Sequence, residues 1–361
     1  MSVMVYKCPQ CGAPLTFDAD KQSWVCKYCL GSFDVEQLDK ILAQEKQDGG
    51  SAEEQKEQPQ KTTSGSDDEE FNREARVYSC PDCGAEIVTD ATTAATFCVF
   101  CQNPAIIQSQ LSGYNRPSKV IPFKFDKEKA KEAFIKWCKK KPLVPGSFKT
   151  GPKLEKISGV YLPFWLYDCD VSGAMHANAQ KIRTWRTGSY EYTETQYFDI
   201  YREGTMFFKG VPADGSSKME DSMMDLLEPY HYDQMIDFSM PYLSGYLAEK
   251  YDQDKDAVFP RIEKRVNEDT VSQLKGTVQG YSAVQVDQSN VQFRSKFADY
   301  ALLPVWMQIY KYKGKNYLFA MNGQTGKAVG NLPYSFGRAA AWFGGIAAAV
   351  MAILFVGGMF L

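Results

Sequence analysis

The stretch CPQCGAPLTFDADKQSWVCKYCLG, residues 8–31, returns in outline as CPDCGAEIVTDATTAATFCVFCQN, residues 80–103. Each copy holds two Cys-x2-Cys pairs separated by fourteen residues: Cys8, Cys11, Cys26 and Cys29 in the first, Cys80, Cys83, Cys98 and Cys101 in the second. A pair spaced by two residues lets one tight turn aim both sulfurs at one ion, and two such turns complete a tetrahedron. Each copy therefore reads as a ribbon with a four-thiolate site for Zn2+. Pro9 and Pro81 fix φ inside the first knuckles, and Gly12 and Gly84 follow where positive φ is expected. In the second knuckles Gly31 and Asn103 are the residue types that most readily turn left-handed.

Four thiolates close the coordination sphere and leave no place for water, so both sites are expected to be structural and not catalytic. Iron suits the same ligands, but zinc is the expected ion. A disulfide framework needs an oxidising compartment; the amino end turns polar within a few residues and no secretory signal is expected there, so reduced thiols are expected. Cys138 and Cys169 stand apart in apolar surroundings and read as buried small hydrophobes.

The other decisive stretch lies at the carboxyl end. Ala339 to Leu361 contains no charged residue. As helix it would run about 34 Å, against a hydrocarbon core of about 30 Å. A single-pass transmembrane helix over 337–361 is expected, with Trp342 at an interface. Lys327 and Arg338 precede it and keep the amino-terminal part in the cytoplasm. Small residues such as Ala340, Gly344, Ala341 and Gly345 recur at spacing four and would permit self-association.

Between these ends the expected class is α+β: zinc ribbon 1 over 1–33, an amphipathic helix and acidic disordered linker over 34–76, zinc ribbon 2 over 77–110, and a β-rich mixed domain over 111–336. Val35, Leu38, Ile41 and Leu42 give the linker helix its apolar stripe, and Gly49-Gly50 opens a tract poor in apolar residues. Such a tract would act either as a tether that lets ribbon 1 range away from the body or as a neutral spacer. Asp126 is expected to cap a helix over 127–140, with Ala130, Ala133, Phe134, Trp137 and Cys138 on one face and lysines on the other. Further helices are expected over 218–228 and 260–275. Strands are expected over 160–167, 171–185, 190–208, 281–297, 302–312, 317–322 and 328–330, with turns at Gly188-Ser189, Lys313-Gly314 and 322–326. Leu162-Pro163-Phe164-Trp165 and Leu303-Pro304-Val305-Trp306 echo each other and read as core.

No catalytic pattern emerges. The segment Gly323 to Lys327 looks like a phosphate loop at a glance, but its glycines are too close and Ala328 stands where Ser or Thr is needed. The two histidines, His176 and His231, have no nucleophile motif to join them. Nucleic-acid binding is disfavoured on charge. Residues 77–110 hold Asp82, Glu86 and Asp90 and no Lys or Arg, and the net charge of the whole chain is -3.

With its ribbons, the segment VYLPFWLYD at 160–168 and the segment LLPVWMQIYKYKGKNYLFAMNGQTGKAVG at 302–330, the chain resembles a bacterial family of membrane-anchored proteins labelled TFIIB-type zinc ribbon-containing. That resemblance implies metal ligation by the eight ribbon cysteines and association with SPFH (flotillin-like) or phage-shock-type membrane-stress proteins. It implies no catalytic residue. The expected function is a tail-anchored adaptor recruiting protein partners, not an enzyme; a membrane-held nucleic-acid-binding protein is the alternative.

Overall fold

A computed structural model describes residues 8–13, 15–34, 37–38, 68, 71–72, 75–89, 95, 97–104, 107–110, 116–148 and 157–358. The expected linker helix and acidic tract fall largely outside these. In chain order the elements are β1 (Leu15–Asp18), β2 (Ser23–Cys26), β3 (Ser32–Phe33), β4 (Arg76–Ser79), β5 (Glu86–Thr89), β6 (Ile107–Gln110), β7 (Lys119–Val120), α1 (Lys127–Lys139), β8 (Ser158–Thr187), β9 (Tyr190–Asp214), α2 (Asp221–Leu227), β10 (Ile236–Asp237), β11 (Leu247–Glu249), α3 (Lys255–Gly276), β12 (Ala283–Tyr312), β13 (Lys315–Asn322), β14 (Ala328–Gly330) and α4 (Phe336–Gly358). The class is α+β, as the mixture of periodicities requires.

The chain divides into two compact units: Met1–Pro163 with Ser217–Lys250 and Leu302–Leu361, and Phe164–Ser216 with Tyr251–Ala301. Strands β8 and β12 have residues in both. Each is one strand of 30 residues where the sequence suggested two. In β8 the apparent break at Asp168 is a bulge, seen as a register shift against β9 between Tyr167 and Cys169. Asp168 is used there, since its carboxylate accepts the Gly210 N–H at 2.7 Å.

In the first unit, β1, β2 and β3 form the small sheet of ribbon 1. The second ribbon has no separate sheet. Its strands β4, β5 and β6 extend the body sheet through β11, which pairs antiparallel with β5 (Ala248↔Val88) and parallel with β8 (Ala248↔Tyr161). The core carries an aromatic cluster in which Phe123 stacks on Tyr246 at 4.2 Å and meets Tyr161 at 4.9 Å and Trp306 at 5.2 Å. Leu162, Leu303 and Trp306 are all buried, so the echoed segments serve as core here. Helix α1 starts where expected, with the Asp126 carboxylate accepting the Lys129 N–H at 2.7 Å. Its Phe134 packs on Tyr310 and Phe319, and Cys138 is fully buried.

In the second unit β8 and β9 form a long hairpin, closed at Gly188 with φ +63°. Helix α3 lies on it. That helix begins five residues before the expected start because Asp254, and not Pro260, sets it: the Asp254 carboxylate accepts from Asp256 and Ala257 N–H. Proline 260 sits inside the helix, where it costs one backbone bond. Leu274 packs on Met175, Ala177, Ala179 and Ile200. The close approach rests on Gly173, paired across the hairpin with Gly204. A Cβ at Gly173 would lie 2.5 Å from Thr270 Cγ2, whereas one at Gly204 meets nothing nearer than 3.8 Å. Gly173→Ala is therefore expected to destabilise the chain by about 1–3 kcal/mol in a denaturant melt, and Gly204→Ala by less than about 1 kcal/mol. Equal effects would mean that the helix does not bear on Gly173.

Candidate metal centres

All four knuckles share one backbone pattern. The N–H of the residue after each pair donates to the carbonyl of the first cysteine: Gly12 to Cys8 at 2.8 Å, Leu30 to Cys26 at 2.9 Å, Gly84 to Cys80 at 2.9 Å and Gln102 to Cys98 at 2.8 Å. The first cysteine's own N–H donates to the next residue's carbonyl, as in Cys8 to Ala13 at 2.7 Å and Cys98 to Asn103 at 2.8 Å. This closure requires a left-handed residue directly after the second cysteine. Gly12 (φ +72°) and Gly84 (φ +68°) meet the requirement as expected. In the second knuckles the expectation was one residue off. The left-handed positions are Leu30 (φ +61°) and Gln102 (φ +65°), not Gly31 and Asn103. Gly31 answers to space instead, since a Cβ there would come within 3.1 Å of the Phe33 ring.

A non-glycine residue in this conformation costs about 1–2 kcal/mol. Leu30 is 79% exposed and loses little packing on removal. Leu30→Gly is therefore expected to stabilise ribbon 1 by up to about 1 kcal/mol, part of the relief being offset by glycine's freedom in the unfolded chain. Competition of the wild-type and variant chains for a metal indicator would read it as tighter binding; weaker binding would show that the leucine is held there by contacts.

The sulfurs converge in two groups, Cys8, Cys11, Cys26 and Cys29, and Cys80, Cys83, Cys98 and Cys101, each with its ligand atoms within 4.8 Å of one another. The nearest pairs join opposite knuckles: Cys8 to Cys29 at 3.3 Å, Cys11 to Cys26 at 3.4 Å, Cys80 to Cys101 at 3.5 Å and Cys83 to Cys98 at 3.6 Å. Bonds of about 2.3 Å to a tetrahedral ion place sulfurs about 3.8 Å apart, so both groups fit such an ion. All ten cysteines are free thiols.

Crowded thiols without a cation cannot all ionise, and the protons divide unevenly. The Cys29 N–H pulls the Cys26 thiol down to about 6. The Gly31 N–H pulls on Cys29, but its bond to Cys8 and its burial outweigh that and push it up to about 12. In ribbon 2, burial pushes Cys80 up, yet the N–H groups of Cys83 and Asp82 outweigh it and bring it to about 7. Burial raises Cys101 to about 11. Each site thus sets one lowered thiol beside two raised ones, Cys11 and Cys29 in ribbon 1 and Cys98 and Cys101 in ribbon 2, and a bound divalent cation would level them by drawing off the remaining protons.

Ribbon 1 packs against the rest of the first unit. Trp24 is fully buried, its Nε1–H donates to the Pro241 carbonyl at 3.1 Å, and its ring meets Tyr242 at 5.0 Å. Ser244 Oγ donates to the Leu15 carbonyl at 2.8 Å, and Gln22 Nε2 donates to the Phe123 carbonyl at 2.8 Å. A cleft of about 690 Å³ lies beside this contact, lined by Asp18, Asp20, Asp126, Lys127, Gly159 and Tyr246 among others. Its carboxylates already have tasks. Asp18 accepts two turn N–H groups, Asp126 caps α1, and Asp20 pairs with Lys129, which holds its carboxyl below the usual range. On ribbon 2, Lys218 Nζ donates to the Cys83 carbonyl at 3.2 Å and Lys250 pairs with Glu86 at 2.8 Å.

The segment that resembled a phosphate loop is a structural turn. Asn322 Oδ1 accepts the N–H groups of Gln324 and Thr325, and Asn322 Nδ2 donates to the Leu227 carbonyl at 2.9 Å. Gln324 in turn bonds the backbone of His231 in both directions. His176 is exposed on β8, its ring 4.8 Å from Tyr201.

Helix α4 is 23 residues long, and its 336–355 stretch has a mean hydropathy of 1.7 with none of it buried in the protein. It is long and apolar enough to cross a membrane. The fold and sites thus define an α+β protein with two tetracysteine ribbons, each able to hold a metal ion, and one C-terminal helix of membrane-spanning length. Over 347 residues, 96% of this chain and 94% of the relative, it is 38% identical to the uncharacterized protein YdjG of Bacillus subtilis (strain 168). The chain belongs to the family of that protein. No family model matches the chain, and no solved structure matches it.

Proposed function

We propose that this is a membrane-anchored zinc-ribbon protein that recruits protein partners to the membrane surface. Each ribbon holds one structural Zn2+, α4 crosses the bilayer, and the amino-terminal part stays in the cytoplasm, where the thiols remain reduced. The observation that carries the reading is the joining of two closed four-sulfur sites to an unburied apolar helix in one chain. Closed sites stabilise a surface without offering a reactive position, and an anchor confines that surface to two dimensions, where a weak contact gains effective concentration. The carboxylates of the cleft serve turns, a cap and an ion pair, which favours a binding protein over an enzyme. The lack of any Lys or Arg in residues 77–110 favours a protein partner over nucleic acid. The TFIIB-type ribbon resemblance makes flotillin-like and phage-shock-type proteins the first candidates.

Crosslinking in native membranes followed by purification of the full chain tests this. A partner recovered in fixed proportion, and lost when ribbon 2 is disrupted, is the expected result. Salt-sensitive recovery of DNA or RNA in its place would overturn it in favour of the nucleic-acid reading.

A further inference from the structure

The loop that follows α1 is fastened to the start of α4. Ser335 N–H donates to the Leu143 carbonyl at 2.8 Å, and Arg338 Nη1 donates to the Val144 carbonyl at 3.1 Å. The exposed Lys136, Lys139, Lys140 and Lys141 lie on the last turn of α1 and the residues leading into that loop, on the side of the first unit from which α4 starts. The β12–β13 turn joins the same neighbourhood, because Phe148 of that loop packs on both Tyr310 and Tyr312 at 5.4 Å. This turn adds the exposed Lys313 and Lys315. Acids are missing from these segments: none occurs between Ala133 and Gly146, and none from Ala301 to Leu361. The nearest on α1 are Glu132, one turn before Lys136, and Glu128, which pairs with Lys131 at 2.7 Å. Tyr334 and Phe336, 75% and 81% exposed, stand at the start of α4 as interfacial aromatics do.

We propose that this lysine surface binds the anionic phospholipid headgroups of the bilayer that α4 crosses, and so orients the first unit on the membrane. The inference rests on the membrane reading above. Cations held within a Debye length of an acidic leaflet are attracted by about 1 kcal/mol each, close to a fivefold change in occupancy per lysine, and the end of a helix favours them further. Lysines that were only solvating would not need acids to be absent from residues 133–146 and 301–361 alike.

The full chain, reconstituted into vesicles of phosphatidylcholine alone or with phosphatidylglycerol, can be pulsed with an amine-acylating reagent and its lysines read by mass spectrometry. Acylation of Lys139, Lys140 and Lys141 is expected to fall about fivefold or more in the anionic vesicles and to recover in high salt, while Lys264 on α3 reacts equally in both. Inorganic phosphate added to the neutral vesicles should give no protection. Equal rates in the two vesicles, or protection by phosphate alone, would overturn the proposal. A K139E/K140E/K141E chain, altered only at exposed positions, should also lose phosphatidylglycerol on detergent purification; unchanged lipid content would count against the site. Alkaline extraction separates the two readings. A chain released by it defeats both, whereas a chain retained with unprotected lysines defeats this inference alone.

Discussion

A Cys98→Ser chain is expected to carry one metal ion in place of two and to lose the cooperative unfolding of its first unit. Cys98 is fully buried and supplies one corner of the second four-sulfur site. A structural zinc contributes about 10 kcal/mol or more to the fold that it closes, which is comparable to the whole stability of an ordinary domain at about 5–15 kcal/mol. In an isolated ribbon that loss would stay local. Here β5 is hydrogen-bonded to β11, and β11 to β8, so the edge of the body sheet ends in the second four-sulfur cluster. Unfolding of ribbon 2 strips β11 of one partner and leaves Lys250 and Lys218 without Glu86 and the Cys83 carbonyl. Cys11→Ser, in the ribbon with its own small sheet, should cost one metal ion and leave the body's melting transition close to the wild type. Calorimetry of the two variants beside their metal content separates these cases. If both lowered the main transition alike, the continuity of ribbon 2 with the body sheet would carry no energetic weight.

Trp24→Ala is expected to unseat ribbon 1 without emptying it. Truncating a fully buried tryptophan costs about 3–5 kcal/mol. Here the ring is shared between Phe17 inside the ribbon, at 5.0 Å, and Tyr242 on the body. The substitution also leaves the Pro241 carbonyl without the indole N–H. The four thiolates hold the ribbon's own shape, so metal content should remain at two while amide exchange rises over residues 15–26 and 240–246. Retained protection in both segments would show that Trp24 does not secure the seat. If the recruiting surface of the proposed function lies under ribbon 1, the same variant should capture more partner than the wild type, and capture can be measured on the same sample.

The two four-sulfur clusters were open to reading from residues alone because a Cys-x2-Cys turn has few conformations and each constrains its neighbours. The α1 helix was equally open, its periodicity and Asp126 agreeing on the start. What escaped was long-range. The join between ribbon 2 and the body runs through β11, three residues whose pattern cannot announce a partner. The burial of Trp24 looks, in sequence, like any alternation within a short ribbon strand. Gly31 and Asn103 drew attention as residues tolerant of positive φ, yet the knuckle's bond from the residue after the second cysteine to the first cysteine's carbonyl placed that strain on Leu30 and Gln102. The breaks read into β8 near Asp168, and into β12 between residues 297 and 302, reflect polar residues that a bulge or a half-exposed strand accommodates.

Metal analysis of the intact, purified chain tests the central claim most directly. Two zinc ions per polypeptide, retained after removal of loosely bound metal, is the predicted result. Substantially fewer than two ions, or disulfides in place of the eight ribbon thiols, would contradict it.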